Sequence, residues 1–275
     1  MRKPIYNDTI MQEENVSAAF SAQSGVFDRT DAKNVTIQWM RKKIREHVLT
    51  LWEPGDNILE LNAGTGLDAI FLAQKGFSIH ATDNAQGMLD ILNQKVAQQS
   101  LGDKISTQLC SFSELTKIER GRFDHIFSNF GGLNCTDKLG DVINSFNGLL
   151  KSGGTATLVL MPKVCPWELM LALKGNFKIA FRRLKRGGTP SHLEGKHFMT
   201  YYYSPSDVNK MFGEVYSTLS IKGLGISVPP PYLEDFPLKH PRLYLRLLSI
   251  EDSIAELRPF RSWSDHFIIS VRKNG

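Results

Sequence analysis

The sequence has no stretch of the roughly 18 consecutive apolar residues that crossing a bilayer demands, and its opening residues, MRKPIYNDTIMQEEN, lack the apolar core of a signal peptide. A soluble, cytoplasmic chain with no membrane insertion is expected. Cysteine is scarce: Cys110, Cys135 and Cys165 are odd in number and lack C-x-x-C spacing, which speaks against a disulfide framework and a zinc centre, so no metal is expected. Internal repeats and low-complexity tracts are absent, and neither sign of charge dominates. The 33 Lys plus Arg exceed 28 Asp plus Glu by five, a weak invitation to anionic partners. Hydrophobic content of 41% and charged content of 22% exclude a disordered or fibrous chain. With 275 residues the chain is long enough to bury a sizeable core as one domain with additions.

Periodicity supplies the order of elements. Apolar positions at helical spacing predict a helix over 32–52, ended by Pro54-Gly55-Asp56. A short strand over 57–61 runs into Asn62-Ala63-Gly64-Thr65-Gly66 and then a helix over 68–75 closed by Gly76. Further strands are expected at 77–82, 105–109, 123–128 and 154–161, with helices at 85–100 and 139–150. Strands alternating with helices in this way imply an α/β, Rossmann-like, doubly wound and mostly parallel sheet. After Pro162 the regularity breaks. Residues 167–184 read as helical, Gly187-Gly188, Pro190 and Gly195 punctuate the next stretch, and Ser206 is a candidate N-cap for a helix over 206–212. A strand at 216–225, a helix at 241–257 and a strand at 266–271 complete the chain. The expected organisation is a single domain over 1–275. Residues 1–52 form an N-terminal helical cap, 53–161 the cofactor-binding core, 162–205 a lid insertion after strand five, and 206–275 the rest of the sheet.

The chemistry concentrates at the first strand's end. Gly64-Thr65-Gly66 lies where a strand turns into a helix, so bare backbone and helix N–H groups face an anion. That anion is either a pyrophosphate, since Gly64, Gly66 and Ala69 satisfy a dinucleotide fingerprint, or the carboxylate of a methionyl group. Asp83, at the tip of the second strand, is placed to accept both ribose hydroxyls of an adenosine. Glu60 faces the loop, where it holds loop amides or, through water, a ligand ammonium. Asp68 sits in a first helical turn, where a negative charge is favourable in its own right. Asn129, just past the fourth strand, is where a parallel sheet presents groups to ligands.

With these residues in view, Ile58-Leu59-Glu60-Leu61-Asn62-Ala63-Gly64-Thr65-Gly66 resembles the first motif of class I S-adenosylmethionine (SAM)-dependent methyltransferases of the broad ubiquinone/menaquinone-biosynthesis type. Ala81-Thr82-Asp83-Asn84 with Met88-Leu89 resembles the ribose-binding strand end and the helix after it. Cys110-Ser111-Phe112 falls where the adenine-flanking segment lies. Phe123-Asp124 with Ser128-Asn129-Phe130-Gly131 resembles the fourth-strand motif, and Leu149-Leu150-Lys151-Ser152-Gly153-Gly154 the turn before strand five. The resemblance covers 30–161 and implies a seven-stranded sheet whose last strand, around Asp265-His266-Phe267, is antiparallel. It implies SAM as cofactor, S-adenosylhomocysteine as product, and a cofactor-binding set of Glu60, Asn62, Gly64, Thr65, Gly66, Asp83, Asn84, Met88, Ser111, Phe112 and Asn129. The chain departs from the family in carrying Asn62 and Ala63 where Gly and often Cys stand, and Cys110-Ser111 where an acid usually approaches the adenine.

A sulfonium methyl donor is already electrophilic, so transfer by in-line displacement needs chiefly alignment, without metal or covalent intermediate. If the acceptor is a hydroxyl, His192, His197, Tyr201, Tyr202 and Tyr203 are candidate bases in the lid segment, His197 and Tyr202 foremost. Trp167, Phe198 and Tyr232 are candidate walls of an apolar acceptor pocket. The fourth-strand motif lacks the Asn/Asp-Pro-Pro-aromatic arrangement of many amine methyltransferases. Lys174, Lys178, Arg182, Arg183, Lys185 and Arg186, interleaved with Phe177, Phe181 and Leu184, read as a solvated lid face or as a surface for RNA, anionic lipid or an acidic substrate. Three readings remain: a small-molecule methyltransferase, an RNA methyltransferase, and a nucleotide-binding protein of dehydrogenase or non-catalytic type. The first is preferred because no appended RNA-binding module is visible, so nucleic acid is not the expected partner.

Overall fold

The computed structural model describes residues 9–118 and 121–275. In chain order the main elements are helices α1 (Thr9–Lys33) and α2 (Val35–Val48), then β1 (Asn57–Leu61), α3 (Leu67–Gln74), β2 (Ser78–Asp83), α4 (Gln86–Gln98), β3 (Ile105–Leu109), β4 (Phe123–Ser128), α5 (Leu139–Leu149) and β5 (Leu150–Leu160). They are followed by short helices α6 (Pro166–Met170) and α7 (Phe177–Ala180), the strands β6 (Thr189–Leu193) and β7 (Lys196–Thr200), and α8 (Pro205–Phe212). The chain then forms β8 (Tyr216–Leu224), α9 (Phe236–Lys239), α10 (Pro241–Ile254) and β9 (His266–Lys273).

Seven strands form one sheet in the order β3-β2-β1-β4-β5-β9-β8, and β6 pairs with β7 in a separate hairpin. Strands β1 to β5 run parallel, whereas β9 is antiparallel to both β5 and β8. The sheet is Rossmann-like, as expected, including the antiparallel last strand. That strand slots between β5 and β8, which separates this sheet from the dinucleotide-binding dehydrogenase order 3-2-1-4-5-6. Successive strand residues divide between two buried clusters: Leu59, Ile126, Leu158 and Ile269 join one, Ile58, Phe127, Val159 and Ile268 the other. This alternation is the two-residue period of strands buried on both faces. The chain order reverses between β1 and β4, and at such a switch point the carboxyl ends of parallel strands leave a crevice for ligands.

Several local expectations are corrected. The helix expected over 32–52 is α2, which ends at Val48 and starts only after Asn34, whose side chain accepts from the Ile37 N–H at 3.0 Å and caps it, while residues 32 and 33 close α1. The helix expected over 167–184 is broken into turns around Gly175, which sits at φ +76°. Ser204 is the N-cap of α8, accepting from the Asp207 N–H at 3.1 Å, so the helix starts earlier than a Ser206 cap implies. The β6–β7 hairpin turns through Glu194 and Gly195, both at positive φ.

A buried polar seam joins α2 to the sheet. His47 Nε2 meets Ser270 Oγ at 2.9 Å, and Ser270 Oγ meets Thr157 Oγ1 at 2.8 Å. Burial, reinforced by Lys222, holds the His47 pKa down at about 4, against roughly 6.5 in an unfolded chain. The unfolded chain binds the extra proton first. His47 therefore withholds no stability above its unfolded pKa and destabilises the fold progressively as pH falls from about 6.5 towards 4. Denaturant titrations at pH 7 and near pH 4 should show the His47→Gln protein losing about 3 kcal/mol less over this window than the parent. Equal losses in both proteins would contradict this assignment.

Candidate active site

The loop after β1 is built around left-handed backbone. Asn62, Gly64 and Gly66 lie at φ +54°, +56° and +78°. Asn is among the few side chains that visit this region routinely, which accounts for Asn62 standing where the family has glycine. The two glycines serve different ends. A Cβ on Gly66 would fall 2.1 Å from Leu92 Cδ1, so Gly66 lets α3 and α4 approach, whereas a Cβ on Gly64 would meet nothing within 4 Å. Asp83 holds the loop in place, its carboxylate accepting from the Gly64 N–H at 2.8 Å and the Ala85 N–H at 2.9 Å. Burial raises the Asp83 pKa, and these N–H groups work against the rise.

A cavity of about 310 Å³ opens over this loop, within the ~300–1,000 Å³ range of small-molecule sites. Its floor is the strand ends, with Glu60, Asn62, Ala63, Gly64, Asp83 and Asn129, and its roof is helical, with Phe20, Phe27 and Asp31 of α1 and Ile37 and Arg41 of α2. Helix α1 is fastened across the crevice. Ser17 Oγ donates to the Asn84 carbonyl at 2.6 Å, Ser111 Oγ donates to Glu13 at 2.8 Å, and Gln12 bonds both the N–H and the carbonyl of Met199 at 2.8 Å. Asp28 accepts from Thr65 and pairs with Lys95, which itself donates to the Thr65 carbonyl at 2.8 Å.

Charge in the cavity is concentrated and largely dry. Arg41 pairs with Asp31 at 2.6 Å and with Asp68, stands 4.6 Å over the Phe130 ring, and is 6% exposed. Asp68 also accepts from Arg45 Nε at 2.7 Å and Asn129 Nδ2 at 2.8 Å. Burial pushes the Asp68 carboxyl up, but Arg41 and Arg45 outweigh it and hold the pKa below the ordinary range. Glu60 is the opposite case: burial first, then the Asp68 charge, raises its pKa well above that range. Two buried polar atoms in the lining lack a protein partner, Glu60 Oε2 and Arg41 Nε. An acceptor and a donor left without partners on two residues that line one cavity are what a zwitterionic ligand would satisfy.

Of the residues singled out from sequence, Glu60, Asn62, Gly64, Thr65, Asp83, Asn84, Met88, Phe112 and Asn129 line the cavity together. Gly66 and Ser111 do not. Gly66 is a packing glycine against Leu92, and Ser111 ties α1 down through Glu13. The candidate bases are elsewhere: His197 is exposed on β7, 4.6 Å from His192 ring to ring, and Tyr202 packs beneath Arg183. Trp167, Phe198 and Tyr232 are outside the lining as well, although Phe198 packs on Phe20 at 6.2 Å. Arg41 and Asp31 are the residues that sequence reading missed. The signal available was slight: Arg41 stands in one cationic stretch with Lys42, Lys43 and Arg45, and Asp31 lies in a segment with no apolar period.

The geometry is that of a nucleoside-cofactor site at the switch point of a doubly wound sheet. Over residues 58–154 the chain matches the family model described as a methyltransferase domain. This stretch is a methyltransferase domain. Over 101 residues the chain is 31% identical to the malonyl-acyl-carrier-protein O-methyltransferase of Serratia marcescens, a match spanning 35% of this chain and 36% of that enzyme. The methyltransferase fold extends well beyond that stretch. DhpI, solved with S-adenosylhomocysteine, superposes with a TM-score of 0.60 over 97% of this chain and 99% of its own, at 12% identity. The 1,6-didemethyltoxoflavin-N1-methyltransferase of Burkholderia thailandensis gives 0.60 over 100% and 94%, at 13% identity. The cyclase SpnF gives 0.64 over 95% and 97%, at 11% identity. Likeness at such identities speaks for the fold and leaves the chemistry to the site.

Proposed function

We propose that the chain is a SAM-dependent methyltransferase acting on a small-molecule acceptor, with its cofactor in the cavity between the glycine loop and α1. The observation that carries this reading is the pair of open buried atoms, Glu60 Oε2 and Arg41 Nε. A carboxylate oxygen and a guanidinium N–H in one enclosure suit the ammonium and carboxylate of the methionyl group. Asp83 keeps a free lone pair on each oxygen beside its backbone bonds, enough to accept two ribose hydroxyls. Met88 and Phe112 supply apolar contact for the adenine, and Gly64 lets the ligand approach bare backbone. In this organisation the described part of residues 1–52 is a cap over the site, 53–161 is the cofactor core, 162–205 the insertion expected to cover the acceptor, and 206–275 completes the sheet. Residues 1–8 of that cap lie outside the described residues.

When bound, SAM supplies an electrophilic methyl group on its sulfonium sulfur. The protein's part is to hold, align and keep water out, and alignment alone is worth several kcal/mol. Phe20, Phe27 and Phe130 close the cavity with apolar surface, and Asn129 is locked by Asp68 and its own bond to the Phe130 N–H at 2.7 Å. Among the described residues the lining contains no His, Tyr or Lys. This favours an acceptor that arrives with a reactive nucleophile, such as a carboxylate, over a hydroxyl that needs an imidazole base. The basic run gives the RNA reading little support, because Arg182 and Arg183 are engaged by Glu168 at 2.6 and 2.7 Å.

Calorimetric titration of the full chain with SAM, S-adenosylhomocysteine and NAD tests the reading. Saturable binding of the first two in the micromolar range, and none of NAD, is the expected result. Binding of NAD alone would overturn it.

A further inference from the structure

The stretch between β5 and β6 presents an unusual surface. Leu173 is 89% exposed, Phe177 61%, Leu184 50%, and Met170 and Phe181 46% each. Among the described large apolar residues none is more exposed than Leu173. Phe177 and Phe181 stack with centroids 6.5 Å apart and rings 4° from parallel, so they project together. From Leu169 to Leu193 the sequence contains no Asp or Glu, only the cations Lys174, Lys178, Arg182, Arg183, Lys185 and Arg186.

Two of these cations point inward and build the base. Arg182 pairs with Glu168 at 2.6 Å, and Arg183, 4% exposed, pairs with Glu168 and Asp265 at 2.7 Å each. The base reaches the cavity wall: Asp265 meets His266 Nδ1 at 2.9 Å, and the His266 ring lies 5.9 Å from that of Phe130. Lys174, Lys178, Lys185 and Arg186 are exposed and have no ion pair or side-chain hydrogen bond among the described residues.

We propose that this knuckle docks the protein on an anionic lipid surface, with Leu173, Phe177 and Phe181 entering the boundary between headgroups and acyl chains and the four free cations meeting lipid phosphates. Apolar tips collared by Lys and Arg are the pattern of an interfacial anchor, in which long basic side chains reach up to the headgroups while their stems stay in apolar surroundings. A protein partner fits less well, because interface cores are depleted of lysine. RNA would use the cations but leave Leu173, Met170 and Leu184 in water. The contact is shallow, since no described helix is long and apolar enough to cross a membrane.

Co-sedimentation of the full chain with phosphatidylcholine vesicles, with and without phosphatidylglycerol, tests the proposal independently of any methyl transfer. Binding should favour the anionic vesicles by roughly tenfold or more and fall as salt is raised. It should be lost both in Leu173→Asp/Phe177→Asp and in Lys174→Glu/Lys178→Glu proteins, whose melting temperatures stay at the parent value because all four side chains are exposed. No preference for anionic vesicles, or equal binding by either double variant, would overturn the proposal. So would light scattering that shows a dimer dissolved by the aspartate pair, which assigns the surface to a second copy, or salt-sensitive RNA affinity without vesicle binding.

Discussion

Replacement of Arg41 by methionine is expected to lower the melting temperature by about 10 °C and to abolish measurable binding of S-adenosylhomocysteine. The stability effect comes from the carboxylates that Arg41 leaves behind. Asp31 and Asp68 are 6% and 4% exposed, and Arg41 is the cation they share. Asp31 would retain only Gln38 Nε2, at 2.6 Å, while Asp68 would keep Arg45 and Asn129. Breaking a buried ion pair on one side costs about 3–5 kcal/mol, and the lower figure applies because Asp68 keeps two donors. At roughly 2–4 °C per kcal/mol for a protein of this size, the shift is about 10 °C. The binding effect is separable. Arg41→Lys keeps a positive charge near both carboxylates but loses the guanidinium fork, so it should retain more stability than the methionine variant and still bind the ligand poorly. Differential scanning calorimetry and ligand titration of the two variants distinguish these contributions.

Asp83→Asn is expected to weaken S-adenosylhomocysteine binding by roughly a hundredfold while leaving a folded protein. Both carboxylate oxygens of Asp83 accept backbone N–H groups, from Gly64 and Ala85, and the residue lines the cavity. An amide replaces one acceptor by a donor. One backbone N–H then faces an NH₂ group, and one ribose hydroxyl loses a charged partner worth about 1.5–3 kcal/mol. The loss should appear in the dissociation constant at neutral pH with a melting temperature only a few degrees lower. An unchanged affinity would remove Asp83 from the ribose contact and leave it the loop-holding role alone.

These residues differ in how far the sequence disclosed them. Strand ends and the glycine loop were legible because parallel strands buried on both faces give short apolar runs, and because left-handed turns demand Gly or Asn at fixed places. Thus 105–109 and 123–128 coincide with β3 and β4, and Asp83 was located by its distance from the loop. Helix α1 was expected only as an unbounded part of a helical cap over 1–52. Its inward positions include Gln12, Val16, Ala19 and Asp31, so the buried face carries polar groups that bond to the core and shows no apolar period. Without its inward face the cavity's roof was hidden, and with it the role of Arg41, which depends on a carboxylate from a different helix. The segment after β5 misled for a related reason. Its apolar residues recur at helical spacing, but Gly175 interrupts the helix, and the spacing of Arg183 does not reveal that Glu168 and Asp265 draw it inward. The β6–β7 hairpin turns through Glu194 in a left-handed conformation, a position where Asn or Gly would have announced it.

In the proposed function Arg41 and Glu60 grip the amino-acid head of the cofactor. This grip is tested most directly by comparing the affinity of the full chain for S-adenosylhomocysteine with that for 5′-methylthioadenosine, which keeps the adenine and ribose and lacks the head. Two charge-assisted contacts predict a preference of roughly a hundredfold or more for S-adenosylhomocysteine, shrinking when Arg41 is replaced by lysine. Equal affinity for the two ligands would contradict the account and leave the open atoms of Glu60 and Arg41 without a role in cofactor binding.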